Sequence, residues 1–538
     1  MQRANSWEYS RSSSATPATP PCGRSSRPVR RSLASAARLT VIAATAWITL
    51  APVAIAAQGK ANDRWALVGA TVISATGDAP IPDGVVLISG SRIIAVGPRD
   101  KTPVPRGTRV VDASGKFVTP GLIDVNVHLV LMITPEFYVK YEDRFADIAV
   151  QGAQIALKYG LTTVMDSWGP LVPLLEARER IRSGKDEGAR VLVAGNIVGT
   201  GGPFSQYFSG GYDLRGADLR FGGWVHPIIQ RRINAMWEAG AGPELLALTP
   251  DEAGEAITRY LAQGPDFLKI AVSAHGIGPV EPLMFSSPAL AAMRRATQQA
   301  GKPFQTHTFS LESLREGIAV RPQLLQHPNV MSTPPHTPAQ LRMLDSLLRE
   351  IKRLGIYSAL LGVPLEEQQQ VYDNWNQGDS RREPYLGAVI QGRQPGMTRE
   401  AFDARRAMLQ RWLRAGVNVV IGTDQGPEAS ELGPVVWGRM GRRHFEIMEG
   451  LQEAGATPMD ILIAATRHGA EAYGLADSLG TVQPGKVADL LVVDADPLAH
   501  VRNLRQIRYV VKGGRLVDRG ALPAMQVLQF DPEAKWPR

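Results

Sequence analysis

Val118-Thr119-Pro120-Gly121-Leu122-Ile123-Asp124-Val125-Asn126-Val127-His128 is the stretch on which the fold turns. Pro120-Gly121 is a turn signal, so a strand starts after it and the strand's far end carries the chemistry. Successive side chains of a strand alternate between its faces, which places Asp124, Asn126 and His128 in one row. Such a row can point into the mouth of a barrel.

Downstream of this strand, helical segments alternate with short apolar strands, the pattern of βα units and a parallel sheet. Residues 146–159 lead to Thr162-Thr163-Val164-Met165-Asp166, and 250–262 lead to Phe267-Leu268-Lys269-Ile270. Residues 289–300 precede Pro303-Phe304-Gln305-Thr306-His307, and 399–414 precede the run Val417 to Asp424. Each pair ends in a polar residue at or near the C-terminal end of its strand, where barrel active sites are built. The flanks differ. From Trp65 to Val118, and again over Ala488–Asp494 and Ile507–Gly514, β-branched runs are separated by turn residues, so one small β domain assembled from both chain ends is expected. Two long stretches, 201–227 and 362–396, the second with Tyr372, Trp375, Arg381, Arg382 and Tyr385, read as lids over the barrel mouth.

At 538 residues the chain suits an α/β barrel with insertions plus a small second domain. Residues 39–57 are mostly apolar, follow a run of arginines and end in Ala54-Ile55-Ala56, an A-x-A site, so 1–57 reads as an export signal and the mature protein as periplasmic or secreted. The bland alternative is a single membrane anchor of about 19 residues; cleavage would leave no stable anchor. The formal charge of +8 falls to about +2 once that leader, with its seven arginines and one glutamate, is set aside, which gives no case for nucleic acid as a partner. Cys22, the single cysteine, lies in the leader. The mature chain therefore has neither disulfides nor thiolate ligands, and any metal site must use His, Asp, Glu, Lys or Asn.

A metal that activates water needs a few imidazoles and carboxylates with one position left open. The chain offers His128, Lys269, His307, His327 and Asp424, each in or just after an apolar strand-like run. Taken singly, a strand-end histidine is more often a hydrogen-bonded structural residue, and Asp424 could cap a helix. Taken together they suggest one site. An ammonium cannot ligate, but a buried lysine of lowered pKa can react with carbon dioxide to give a bridging carbamate. His275 and His336 read as loop or lid residues, either able to replace a missing ligand, and Asp166 and His226 as supporting or loop groups.

This order of motifs resembles the amidohydrolase superfamily of metal-dependent hydrolases, particularly its imidazolonepropionase-like branch. Residues 120–128 resemble the family's strand-one motif, which usually ends His-x-His; Lys269 resembles the bridging ligand of strand four, His307 and His327 the ligands of strands five and six, and Asp424 that of strand eight. Leu479 to Asp494 resembles the C-terminal β-domain signature. The resemblance implies a (β/α)8 TIM barrel over 119–477, a composite β-sandwich domain from 63–118 and 478–520, and a tail over 521–538. It also implies one or two divalent metal ions, zinc first, held by Asn126, His128, Lys269 as a carbamate, His307, His327 and Asp424, with Asp424 and His327 catalytic. Asn126 stands where the family places an imidazole, and its neutral amide oxygen is a poorer ligand for zinc. A single well-held metal, a two-metal centre with Asn126 or water as ligand, and a non-catalytic barrel with a degraded centre all remain open on the residues. The implied reaction is hydrolysis of a carbon–nitrogen bond in a small molecule by metal-activated water, with small peptides or N-acyl amino acids as a first panel and a lactone or ester as the alternative. A lid arginine such as Arg381 or Arg382 could clamp a carboxylate. Oligomeric state, including a homo-oligomer, is left open.

Overall fold

The computed structural model describes residues 64–130, 135–205, 226–274, 282–331, 335, 337–367, 369, 399–427 and 440–530. The leader with Cys22, most of both expected lids (206–225 of 201–227, and 370–396 of 362–396, with Arg381 and Arg382), and His275 and His336 lie outside the described residues. Among the described residues no helix is long and apolar enough to cross a membrane.

Seventeen strands follow one another among the described residues. The first five are β1 (Arg64–Val72), β2 (Ile81–Ser89), β3 (Arg92–Pro98), β4 (Arg109–Asp112) and β5 (Phe117–Pro120). The middle supplies β6 (Leu122–Val127), β7 (Leu161–Asp166), β8 (Arg190–Val193), β9 (Ile197–Val198), β10 (Leu268–Ala271), β11 (Phe304–His307), β12 (Leu324–Gln326), β13 (Tyr357–Ala359) and β14 (Asn418–Val420). The last three are β15 (Leu490–Val493), β16 (Ile507–Lys512) and β17 (Arg515–Leu516).

Both ends of the chain meet in one eight-stranded sheet, ordered β17-β16-β15-β5-β1-β2-β3 with β4 beside β1. Period-two alternation is visible in its packing: Trp65 and Leu67 of β1 join one apolar cluster with Val86, Ile88 and Val492, whereas Ala66 and Val68 join another with Val85 and Leu87. The central seam is β15 on β5, antiparallel, with Leu490 opposite Pro120 and Val493 opposite Phe117. Directly after β5 the chain breaks at Gly121, whose N–H donates to Asp489 O at 2.8 Å, and resumes as β6 in a different sheet. A Cβ at Gly121 would come within 2.3 Å of Thr162 Oγ1, so no larger residue fits this passage.

The middle strands are all parallel, in a three-stranded sheet β6-β7-β8 and a six-stranded sheet β14-β13-β12-β11-β10-β9. The two sheets are joined by hydrogen bonds at one edge and by the chain itself at another. Val125 N donates to Ile421 O and His128 N to Gln425 O, both at 2.9 Å, beside β14, while residues 190–198 run from β8 into β9. Ile123, Val125, Met165, Ala194, Phe267, Leu324, Ala359 and Val420 form one apolar cluster, with a residue from most of the parallel strands or their ends. Residues of opposite parity, such as Val164, Ile270 and Leu325, pack instead into the larger cluster that includes Ile148, Ile155 and Leu290 of the helices.

The helices begin and end where local chemistry dictates. Pro250–Leu261 opens on a Thr249/Glu252 capping box with Pro250 in its first turn, and Pro338–Leu354 on a Thr337/Gln340 box, closing at Gly355 with φ 68°. The strand expected over 417–424 is shorter than its apolar run, ending at Val420. The chain leaves the ladder there and reaches Asp424 at φ 59°.

Candidate active site

Six side chains singled out by the sequence are buried in or just beyond the parallel strands: Asn126 near the end of β6 and His128 one residue past it, Lys269 in β10, His307 at the end of β11, His327 after β12 and Asp424 after β14. Asn126 is the junction. Its Nδ2 donates to Asp424 Oδ1 at 2.9 Å, and its Oδ1 accepts from Lys269 Nζ at 3.4 Å. His128 Nε2 also lies 3.0 Å from Asp424 Oδ1. At the ends of β11 and β12, His307 Nδ1 lies 3.1 Å from His327 Nε2, and Phe309 stacks on the His327 ring at 4.9 Å.

Two of these residues adopt backbone conformations that side chains disfavour: His327 has φ 34° and Asp424 φ 59°. Left-handed backbone at non-glycine positions carries strain, and it concentrates where a side chain must be aimed. His327 turns out directly after β12, and Asp424 four residues after β14, where its N–H donates to Asn126 O at 2.7 Å.

Electrostatics divide the set by charge state. Burial pulls the Lys269 ammonium down to about 8, against the opposing pull of Asp424 and Asp166. Burial likewise depresses His128, so its ring is neutral near neutrality. Burial alone would raise Asp424, but His327, the hydrogen bond to His128 and Lys269 hold its carboxyl well below the usual range, and it stays ionised. Two neighbouring carboxyls go the other way through burial, Asp124 to about 7 and Asp166 to about 8.

The donor set suits a divalent metal. Nitrogen and oxygen donors are present in buried positions, and each pair stands near 3 Å apart, close to the roughly 3.3 Å that separates two ligands of a tetrahedral ion with bonds of about 2.0 Å. The set comprises two pairs, with Asn126 and Lys269 linked to the first. Among the described residues no group of three or more His, Cys, Asp or Glu side chains is arranged to hold a metal ion.

Of the other residues noted in the sequence, His226 is exposed and caps the helix Pro227–Glu238, its Nδ1 accepting from Ile228 N. Asp166 sits at the end of β7 and holds backbone amides. Asp124 does likewise, its Oδ1 accepting from Asn126 N at 3.1 Å and Thr423 N at 3.0 Å. Sequence reasoning missed a polar layer beneath the site. Gln305 Nε2 donates to the Tyr473 hydroxyl at 2.8 Å, which donates to Val125 O at 3.1 Å, and Gln326 Nε2 donates to Val125 O at 3.2 Å and to Gln305 Oε1. Gln305, two residues before His307, was detectable by strand parity; Tyr473 is separated from β6 by most of the chain and left no local signal.

Comparison with known proteins follows the same lines. A model described as "Amidohydrolase family" matches residues 389–517. The chain is similar to an imidazolonepropionase of Pseudomonas putida, 24% identical over 425 residues that cover 76% of this chain and 87% of the relative. It is also similar to a 5-methylthioadenosine/S-adenosylhomocysteine deaminase of Symbiobacterium thermophilum, 29% identical over 241 residues, 40% of this chain and 53% of that protein, so the match spans about half of that relative. Two solved structures match at 31% identity: molinate hydrolase, with a TM-score of 0.74 over 88% of this chain and 99% of its own, and phenylurea hydrolase B, with 0.75 over 87% and 100%.

Proposed function

The chain belongs to the amidohydrolase family and is an enzyme of it, and from that premise we propose that it is an exported, metal-dependent hydrolase of carbon–nitrogen bonds in small non-peptide amides or ureas. The single observation that carries the reading is the buried cluster Asn126–His128–Asp424, joined through Oδ1 of one ionised carboxylate, beside the His307–His327 pair. The solved relatives at 31% identity are hydrolases of molinate and of a phenylurea, which makes these compounds the first substrate panel, ahead of dipeptides and N-acyl amino acids. We also infer that the two parallel sheets close into one (β/α)8 barrel, with β8 and β9 as one interrupted strand. The hydrogen bonds of Val125 and His128 to the chain after β14 support this. The sheet built from both chain ends is then the companion β domain.

His307 and His327 would hold one divalent ion together with Lys269 as its carbamate, and Asp424 with His128 would face it. Such an ion supplies a water of lowered pKa and a Lewis acid for the scissile carbonyl. The chain's own residues do the rest. Both described hydrogen bonds of the Asp424 side chain fall on Oδ1, which leaves Oδ2 to take the proton of the attacking water and deliver it to the departing nitrogen. Asn126 Nδ2 and His128 hold that carboxylate in one orientation. As a ligand of the ion, His327 would act on the oxyanion of the tetrahedral intermediate only through that ion's charge, because its coordinating nitrogen carries no proton to donate. Because Asn126 is already bound to Lys269 and Asp424, it acts as an organiser of the site, which favours one ion over two.

Asp424→Asn in the purified protein tests the assignment. Turnover of whichever compound of the panel the wild type hydrolyses should fall roughly 10²- to 10⁴-fold, the usual worth of a positioned general base. Unchanged turnover would remove Asp424 from that role. Metal analysis of the same preparations separates the enzyme from a barrel with a degraded centre, which would hold no ion.

A further inference from the structure

Asp166 is fully buried, takes no part in the proposed chemistry, and is committed to backbone amides just past the ends of two strands. Its Oδ2 accepts from Leu129 N at 2.6 Å, and its Oδ1 accepts from Trp168 N at 3.2 Å. Leu129 immediately follows His128. Trp168 flanks the same histidine, its ring edge-on to the imidazole at 5.9 Å. The regular pairing between β6 and β7 slips between Asp124 and Val127 and ends at Val127 opposite Asp166, with Ser167 N donating to Val127 O at 3.0 Å. Beyond that bond the ladder offers Leu129 N no backbone acceptor. One side chain continues the pairing where the backbone cannot.

We propose that Asp166 is a positioning residue for His128: its two carboxyl oxygens pin the residue after the histidine and the residue beside it, and so fix the orientation and tautomer of the ring that faces Asp424. The geometry requires two oxygens. Two amide N–H groups arriving at two different oxygens need two acceptors, whereas an asparagine offers one oxygen and one NH2. With the wrong group turned toward Leu129 or Trp168, one amide is left unpaired and the loop that holds His128 relaxes. This inference rests on the proposed active site, but its principal readout does not depend on turnover.

Ring-nitrogen NMR of the full-length protein labelled with 15N-histidine measures the tautomer of each buried imidazole, with the His128 signals identified by their loss in His128→Gln. In the wild type, His128 should show one protonated and one bare nitrogen. In Asp166→Asn that pair should move toward an averaged position while His307, His327, His444 and His468 keep theirs. If turnover is detected on the panel, kcat should fall roughly 10- to 100-fold, as when a ligand's hydrogen-bonded support is removed, with KM altered much less. Unmoved His128 signals would overturn the proposal, as would equal movement of all five histidines, which would mark general loosening. Should Asp166→Asn fail to fold, Trp168→Phe decides: it keeps the backbone amide that Asp166 holds, so the His128 pair should stay in place, and a shift there would mean that the indole orients the ring. A wild type inactive on every compound would count against the proposed function alone, because the ring signals would still report on Asp166.

Discussion

Replacing His444 with glutamine should flatten the acid side of the stability profile. His444 is buried in the helix Arg443–Glu453 with Nε2 3.2 Å from Tyr159 O, and burial, aided by the positive charge of Arg505, drives its pKa down from 6.5 to about 3. The sign follows from proton counting. Between those two values the unfolded chain binds a proton that the folded chain refuses, so this contribution is fully present above about pH 6.5 and is lost as pH falls toward 3. At a cost of about 1.4 kcal/mol per pH unit, the loss is about 2 kcal/mol by about pH 5. Glutamine can still donate to Tyr159 O and does not titrate. Urea unfolding of wild type and His444→Gln at about pH 7.5 and about pH 5 should show the wild type losing about 2 kcal/mol more than the variant across that interval. Equal losses would refute the reasoning, since the folded protein would then accept the proton without penalty.

Asn126→His should raise the metal content of the purified protein from one equivalent toward two by mass-spectrometric metal analysis; unchanged stoichiometry would count against the position as a vacated ligand site. Tyr473→Phe removes a hydroxyl that joins Gln305 to Val125 O, and should cost about 1–3 kcal/mol in urea unfolding because the buried Gln305 amide loses its acceptor, while Val125 O keeps Gln326. Native mass spectrometry of the wild type should show an added carbon dioxide that Lys269→Met lacks, and an unmodified wild type would exclude the carbamate. Expressed with its leader in a secreting host, the protein should be recovered with an N-terminus close to residue 57, and a recovered full-length chain would refute cleavage.

The α/β character and the burial of the site residues were legible because both depend on local periodicity. A row of polar side chains at every second position on β6, and single polar residues closing apolar runs at His307 and Asp424, can be read within a few residues of sequence. What joins them could not be read locally. Nothing near Asn126 indicates that its amide spans Lys269 and Asp424, because those partners come from β10 and from beyond β14. The left-handed turns at His327 and Asp424 were equally silent, since neither residue type signals positive φ as glycine does. The role of Asp166 was hidden for a related reason: its partners are backbone amides, which carry no residue identity.

The seam between β5 and β15 has a consequence for how the protein is made. Trp65 Nε1 donates to Gly514 O at 2.7 Å across 449 residues of chain, so the first sheet begun is among the last completed. During synthesis β1, β2 and β3 can form a hairpin ladder and β5 can join β1, but β5 lacks its second neighbour, β15, until nearly the whole polypeptide has emerged. Pairings of such long range are slow to form and expose strand edges while they wait. Since β6 follows β5 after one glycine, the strand that carries Asn126 and His128 gains its last support only when synthesis is almost over. Chains cut short before β15 should therefore be strong clients for chaperones and proteases, and activity should arise late and all at once.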